Sequence, residues 1–497
     1  MSPVQEILSL KGPDIRMEYT EEQKGIINFD PSPGEVVKVN AFAGTGKTTL
    51  LKGYTLARPN TKFLYVCFNK AIQEEAQRKF PPWVNCRTIH SLAYAAIGRK
   101  YRHKLIPSLK AVVAAQALGL DDLEKVRSGI DTLHQYLISA DEQITADHVP
   151  AAVRYMYSRR KIDQVLKIAS DLWNAMGDVN EEKIGATHDY YLKRYQLMGP
   201  KLNYNIALID EAQDTNKVSA DILLSQKNIA KILVGDHHQA IYGFRGSTDI
   251  MQQHENARRF YLTQSFRFPQ KVANLSNLLL YLYKGETKKI RGISEPPGRI
   301  GPISETPFTI IARTNAELFL QAITWHDKKK IAFVGGVSSY RFDEILNTYY
   351  LYSRQEGKIT LPHIKLFETY ERMVAFADEV EDIELKSRIK LIERYKNGIP
   401  LLIHRICEAS VSQDKADIVL VSGHRSKGLE YVSVKISNDV VKLVRKNELV
   451  DPEDVDPQDI NLAYVAITRA KRNLELPPRI VAFVNKVREL GLTGRGA

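Results

Sequence analysis

The stretch Ala41-Phe42-Ala43-Gly44-Thr45-Gly46-Lys47-Thr48-Thr49 constrains this chain more than any other. It follows the apolar segment Glu35-Val36-Val37-Lys38-Val39 and precedes residues of helical character. A glycine-rich turn between a buried strand and a helix leaves backbone N–H groups free to cradle phosphates at the helix N-terminus. In such a loop Ala43, Gly44, Thr45, Gly46 and Thr49 line a nucleotide, Lys47 reaches its β- and γ-phosphates, and the Thr48 hydroxyl ligates Mg²⁺. The strict pattern has glycine where this chain has Ala41, a change that relaxes the turn and leaves the chemically active groups in place.

A chain of 497 residues exceeds a single core and predicts two to four domains. With 44% apolar and 26% charged residues it has an ordinary globular composition. No apolar run reaches bilayer-spanning length, and the first residues lack the apolar core of a signal peptide, so no membrane partner is expected. Cys67, Cys86 and Cys407 are widely separated and odd in number, against a disulfide framework or a zinc site. An intracellular protein is expected: cytoplasmic if bacterial or viral, nuclear if eukaryotic. The formal net charge of +12 favours a polyanionic partner such as nucleic acid.

Short β-branched apolar runs at 63–66, 206–209 and 231–234 in the first half, and at 308–311, 417–421 and 432–436 in the second, alternate with polar, helix-like stretches. That alternation predicts parallel sheets in an α/β fold. Residues 95–201 and 339–412 read as mainly helical insertions, with Leu109–Leu118 as a core helix in the first of them. The expected organisation is a first α/β domain from 1–94 and 202–270, interrupted by 95–201, and a second from 271–338 and 413–497, interrupted by a short 339–412 insertion.

Ile209-Asp210-Glu211-Ala212-Gln213-Asp214 follows the apolar run at 206. Adjacent carboxylates at the end of a parallel strand suit phosphoryl transfer: Asp210 holds Mg²⁺ and Glu211 orients and deprotonates the attacking water. Downstream, in Val234-Gly235-Asp236-His237-His238-Gln239-Ala240-Ile241-Tyr242-Gly243-Phe244-Arg245, Gln239 is placed to sense the γ-phosphate. Tyr242 and Phe244 offer stacking faces for bases, worth about 1–3 kcal/mol each on a single strand.

These segments, with Phe63-Leu64-Tyr65-Val66-Cys67-Phe68-Asn69-Lys70 and Tyr261-Leu262-Thr263-Gln264-Ser265-Phe266-Arg267-Phe268, resemble the motifs of the superfamily 1 DNA helicases of the UvrD/Rep type, most closely the helicase core of the F-box DNA helicases. The resemblance runs from about Tyr19 to Leu474. It implies two RecA-like P-loop NTPase domains with ATP between them, ATP and Mg²⁺ as cofactors, and single-stranded DNA and single-strand/duplex junctions as substrates. Gln23 matches the glutamine that reads adenine, and Phe266 the aromatic residue that stacks on it. Arg267 and Arg469 match the two arginine fingers, one from each domain, and Glu430 joins the nucleotide set. Phe68, Asn69, His90, Tyr242, Phe244 and Arg245 match strand contacts of the first domain, Arg313, Asn315 and His424 those of the second. Such contacts track phosphates and stacked bases, so little sequence preference is implied.

The chain departs from the family pattern in places. Ser422-Gly423 stands where the family has threonine and a β-branched residue, a change expected to loosen the nearby DNA contact. Only about twenty residues precede Gln23, which leaves no room for an F-box and no expectation of a ubiquitin-ligase partner. The expected activity is that of an ATP-dependent 3′–5′ DNA helicase and single-strand translocase in repair, recombination or fork processing, with or without a loading partner. The alternatives are a translocase that strips proteins from single strands, and an ATP-switched subunit of a larger DNA-processing or defence complex.

Overall fold

The computed structural model describes residues 18–67, 69–243, 249–253, 256–293, 297–379 and 382–492. Its contacts form two compact units, one comprising the chain up to Ala41 together with Gly46–Leu262, the other Phe42–Thr45 with Thr263 onward. Each is built on a six-stranded parallel sheet.

In the first unit β1 (Val36–Ala41), β2 (Phe63–Val66), β3 (Val84–Arg87), β4 (Ile206–Ile209), β5 (Ala230–Gly235) and β6 (Arg258–Leu262) lie in the order β3-β2-β4-β5-β1-β6. β2, β4 and β5 are buried along their whole length, as parallel strands covered on both faces must be. Because β5 lies between β4 and β1, the loops after Ala41, Ile209 and Gly235 leave neighbouring strands at the same edge. In an open parallel sheet, that carboxyl edge is where ligand-binding loops gather.

The chain between β3 and β4 is helical. Leu123–Ile138 packs on Arg159–Gly177 through Val126 and Leu133 on one side and Ile168 and Leu172 on the other, a spacing that puts each pair on one helix face. Two buried lysines close these helices: Lys193 Nζ donates to the carbonyls of Ser139 (3.0 Å) and Asp141, and Lys104 Nζ to those of Ala175 (3.1 Å) and Asp178 (2.6 Å). An ammonium at a helix C-terminus satisfies carbonyls left without intrahelical donors. The helix expected over Leu109–Leu118 forms as Ala111–Leu118 and is only partly core, since Ala114 and Ala115 are buried whereas Val112 and Val113 are exposed. Its apolar run goes all the way round, and only one face meets a neighbour.

The second unit has β7 (Gln264–Pro269) and β8 (Arg291–Ile293) as a separate pair. Its main sheet uses β9 (Arg299–Ile300), β10 (Phe308–Ala312), β11 (Ile331–Phe333), β12 (Ile418–Ser422), β13 (Tyr431–Ile436) and β16 (Ala470–Glu475), in the order β11-β12-β10-β13-β16-β9; β14 (Val444–Arg445) and β15 (Glu448–Leu449) make a small hairpin. Here β10 is central, so the loops after β12, β10 and β13 share one edge. The described residues of 339–412 form helices with a small core of their own, including Leu351, Ile364, Met373 and Ile389, and a buried Arg388–Glu344 ion pair. No helix among the described residues is long and apolar enough to cross a membrane.

Candidate nucleotide and strand-contact sites

The glycine-rich loop ends on Gly46, which takes a left-handed conformation (φ +79°) as the N-cap of the helix Lys47–Leu56. That conformation costs glycine little and places Lys47 and Thr48 in the first helical turn. Lys47 Nζ lies 2.8 Å from Glu211 Oε1. Burial pulls the Lys47 ammonium down, but the carboxylates of Glu211 and Asp210 outweigh it and hold its pKa above the ordinary lysine value.

Glu211 itself has a positive φ of 49°, unusual for a residue with a Cβ, and its N–H donates to Asp210 Oδ1 at 2.9 Å. Asp210 Oδ2 accepts from the Tyr65 hydroxyl at 2.7 Å, an approach fixed by the β2–β4 pairing that sets Tyr65 beside Leu208. Burial, followed by the neighbouring negative charge of Glu211, raises Asp210 above the ordinary carboxylate range. Gln213, fully buried, links the strand ends: its Nε2 donates to Glu211 Oε2 (2.6 Å) and its Oε1 accepts from Asp236 N (3.1 Å). Gln239 Nε2 in turn donates to Asp236 Oδ2 at 2.7 Å. A side chain at Gly235 would put its Cβ 2.3 Å from Gln213 Oε1, so only glycine lets this relay form.

Two adjacent half-buried carboxylates beside the Lys47 ammonium carry more negative charge than it offsets. With the exposed Thr48 hydroxyl in the same turn as Lys47, this hard oxygen donor set fits Mg²⁺.

Of the remaining nucleotide candidates, Gln23 is buried and forms a reciprocal cap with Thr20, Oε1 accepting from Thr20 N and its own N donating to Thr20 Oγ1, both at 3.1 Å. Ala43, Gly44 and Thr45 group with the second unit, where Ala43 N donates to the Tyr464 hydroxyl (3.0 Å), Ser265 Oγ to Ala43 O (2.8 Å) and Phe266 N to Gly44 O (2.8 Å). Thr49 is half-buried in the helix that follows. The Phe266 ring is exposed. Arg267 and Arg469 both lie in the second unit, although the resemblance assigns one to each domain. Arg267 Nε pairs with Glu430 Oε2 (3.1 Å), whose other oxygen meets Lys471 Nζ (3.1 Å). Burial opposes ionisation of Glu430, but Lys471 and Arg267 prevail and lower its pKa. Arg469 is fully buried, its guanidinium donating to Val465 O (2.9 Å), Leu429 O (3.1 Å) and Thr468 Oγ1 (3.1 Å).

Among the strand-contact candidates, Phe68, Phe244 and Arg245 lie outside the described residues. Asn69 caps the helix Lys70–Lys79. His90 Nε2 meets Asp189 Oδ1 of the helical insertion at 3.0 Å. A cavity of about 230 Å³ is lined by Cys67, Thr88, His90, Asp210, Glu211 and Tyr242, so candidate strand contacts and hydrolytic carboxylates share one wall. In the second unit Arg313 and Asn315 leave the end of β10 and His424 the end of β12, neighbouring strands. Arg313 is paired with Asp459. At the Ser422-Gly423 departure, Ser422 Oγ caps the next turn, and a Cβ on Gly423 would lie 2.6 Å from Leu462 Cδ1.

Sequence reasoning passed over Tyr65, Gln213, Asp236, Asp189, Asp439, Asp459 and Glu384. Tyr65, Gln213 and Asp236 stand inside the motifs named above; the others act from distant elements and leave no local signal.

Residues 19–258 match the UvrD/REP helicase N-terminal domain. The chain is 33% identical over 92% of its length to F-box DNA helicase 1 of Gallus gallus, covering 49% of that protein, and 32% identical over 92% to F-box DNA helicase protein 1 of Schizosaccharomyces pombe, covering 57%. It thus spans about half the length of these relatives. A shorter stretch, 19% of the chain, is 31% identical to the ATP-dependent DNA helicase PcrA of Staphylococcus epidermidis, covering 13% of that protein.

Proposed function

From the match of residues 19–258 to the UvrD/REP helicase N-terminal domain we propose that this chain is an ATP-dependent 3′–5′ DNA helicase that translocates along single strands. The observation that carries the reading is the Lys47–Glu211 pair beside Asp210, at the edge where three neighbouring strands end. In the resting arrangement the ammonium neutralises the general base. A triphosphate draws Lys47 to its own oxygens and frees Glu211 Oε1 to accept the proton of the attacking water, while Gln213 keeps hold of Oε2. Thr48 and Asp210 would hold Mg²⁺, which shields the phosphate charge when bound. Arg267 and Arg469 act as the fingers that stabilise charge on the transferred phosphoryl group, a contribution of about 10³–10⁵ in rate.

The wall shared by Asp210, Glu211, His90 and Tyr242 supports coupling of hydrolysis to the strand. Residues 1–94 with 202–270 and 271–338 with 413–497 serve as the two motor domains, and 95–201 and 339–412 as their insertions. The test is ATP hydrolysis with and without single-stranded DNA, alongside displacement from 3′-tailed and 5′-tailed duplexes. DNA-stimulated turnover with displacement from the 3′ tail alone is the expected result. Stimulation without displacement points to protein stripping, and absence of stimulation removes the motor reading.

A further inference from the structure

Three carboxylates from three separate segments converge on the three consecutive residues that follow β10. Asp439, beyond β13, accepts from Arg313 N (3.1 Å), Thr314 N (2.9 Å) and Thr314 Oγ1 (3.0 Å). Asp459, in the helix Pro457–Ile467, takes the Arg313 guanidinium. Both belong to the α/β framework of the second unit. Glu384 comes from the helix Ile383–Tyr395, within 339–412, and accepts from Asn315 N through both oxygens, at 3.1 and 3.2 Å.

We infer that Glu384 is a positioning residue through which the 339–412 insertion sets the strand-contact segment Arg313–Asn315. The inference rests on the strand-contact role proposed above. Its geometry is specific. Asn315 is the first residue of the helix Asn315–Trp325, and Glu384 stands in the first turn of its own helix, so one carboxylate serves two helix N-termini. An anion there is favoured by both sets of free N–H groups. Removing it frees one end of the segment while Asp439 and Asp459 still hold the other. The segment then tilts instead of unfolding, which separates this role from a general structural one.

The charge on this latch changes near neutral pH. Burial pushes Glu384 up to about 7; Arg388, one turn along, and the Asn315 N–H oppose the rise, and Glu344 and Asp382 add to it. Glu344, on the helix Phe342–Tyr352, is itself paired with Arg388 and Arg341 and lies 3.6 Å from His363. From the helix Asn315–Trp325 the nearby acid is Glu317, which also feels Asp439 and Arg394. Above about pH 7 the carboxylate is charged and the latch holds; below it the protonated group is a weaker acceptor and Asn315 is released.

The experiment measures binding of fluorescent oligo-dT by anisotropy, without nucleotide, from about pH 6 to about pH 8 for the wild type, E384Q and E384D, together with amide exchange of the 313–318 segment in the wild type. The wild type is expected to lose about three- to tenfold in affinity on going to the acid end, beyond the loss shown by E384Q. E384Q stays at the wild type's acid-end affinity throughout, and E384D, with its carboxylate withdrawn by one methylene, binds weakly but keeps a pH dependence. In the unmutated chain the Asn315 amide loses protection across the same range after correction for intrinsic exchange, a readout independent of variant folding. Matching affinity and pH profile in E384Q and wild type, or Asn315 protection that ignores pH, overturns the inference alone. Absence of oligo-dT binding by the wild type at every pH removes the strand-contact reading, and the inference with it.

Discussion

The carboxyl edges of the two parallel sheets use acidic side chains in opposite ways. In the first unit Asp210 and Glu211 stand side by side, half-buried, with the Lys47 ammonium on Glu211, and burial with mutual repulsion raises Asp210. In the second, Asp439 receives two backbone N–H groups and a hydroxyl, Asp459 a guanidinium and Glu384 a backbone N–H. Burial raises Asp439 as well, but its neighbours supply a donor at nearly every oxygen position. Two adjacent anions beside one ammonium attract a further cation, whereas anions from separate segments bound to one loop's own donors hold that loop in place. One edge is built for chemistry and the other for shape.

The largest effect that tests this contrast is loss of the Lys47 ammonium. Lys47→Ala is expected to lower DNA-stimulated ATP turnover by on the order of 10³ while single-strand affinity persists; full turnover breaks the contrast outright. Glu211→Gln should follow, with turnover down by about 10² or more and nucleotide binding retained, read by comparing kcat with equilibrium binding of a labelled nucleotide. On the second unit's edge, Asp459→Asn should cost about tenfold in oligo-dT affinity and leave kcat at saturating DNA unchanged. A fall in kcat there would mean that the two edges are not functionally distinct.

Smaller effects sharpen the same comparison. Tyr65→Phe removes the hydroxyl that supports ionised Asp210, so turnover should fall severalfold and its acid limb should move to higher pH. The insertions differ in kind too: the buried Arg388 of the second meets the Glu344 carboxylate, whereas the buried Lys193 of the first meets backbone carbonyls, and burial pushes it down to about 8. Between about pH 8 and the ordinary lysine value the unfolded chain binds the extra proton, so this group makes stability rise with pH over that window. Lys193→Met should flatten the rise in denaturant titrations. A slope that survives the substitution assigns it to other groups.

Much of the fold was legible because parallel strands buried on both faces are continuous apolar runs, as at Phe63–Val66 and Ile206–Ile209. The nucleotide candidates were legible because the residues of each loop are contiguous, so Lys47, Asp210, Glu211 and Gln239 come with their own context. Partners such as Tyr65, Asp189 and Glu384 were hidden because sheet order and helix docking, which no local pattern encodes, bring them in across 145, 99 and 69 residues. Gly423 shows the limit from the other side: a Cβ there would press on Leu462, a fact of packing and not of spacing.

The buried lysines bear on how the protein should respond to ionic strength. Among the described residues, six buried cations (Lys38, Lys104, Lys193, Lys231, Arg388 and Arg469) outnumber the three buried carboxylates Asp214, Asp236 and Glu344. Lys104 and Lys193 neutralise helix ends and release no counterion when a polyanion arrives. The face a nucleic acid meets is therefore less basic than the formal +12 suggests. Single-strand binding should weaken with added salt along a shallower slope than a count of lysines and arginines would give, because that slope reports only the phosphates neutralised at the surface.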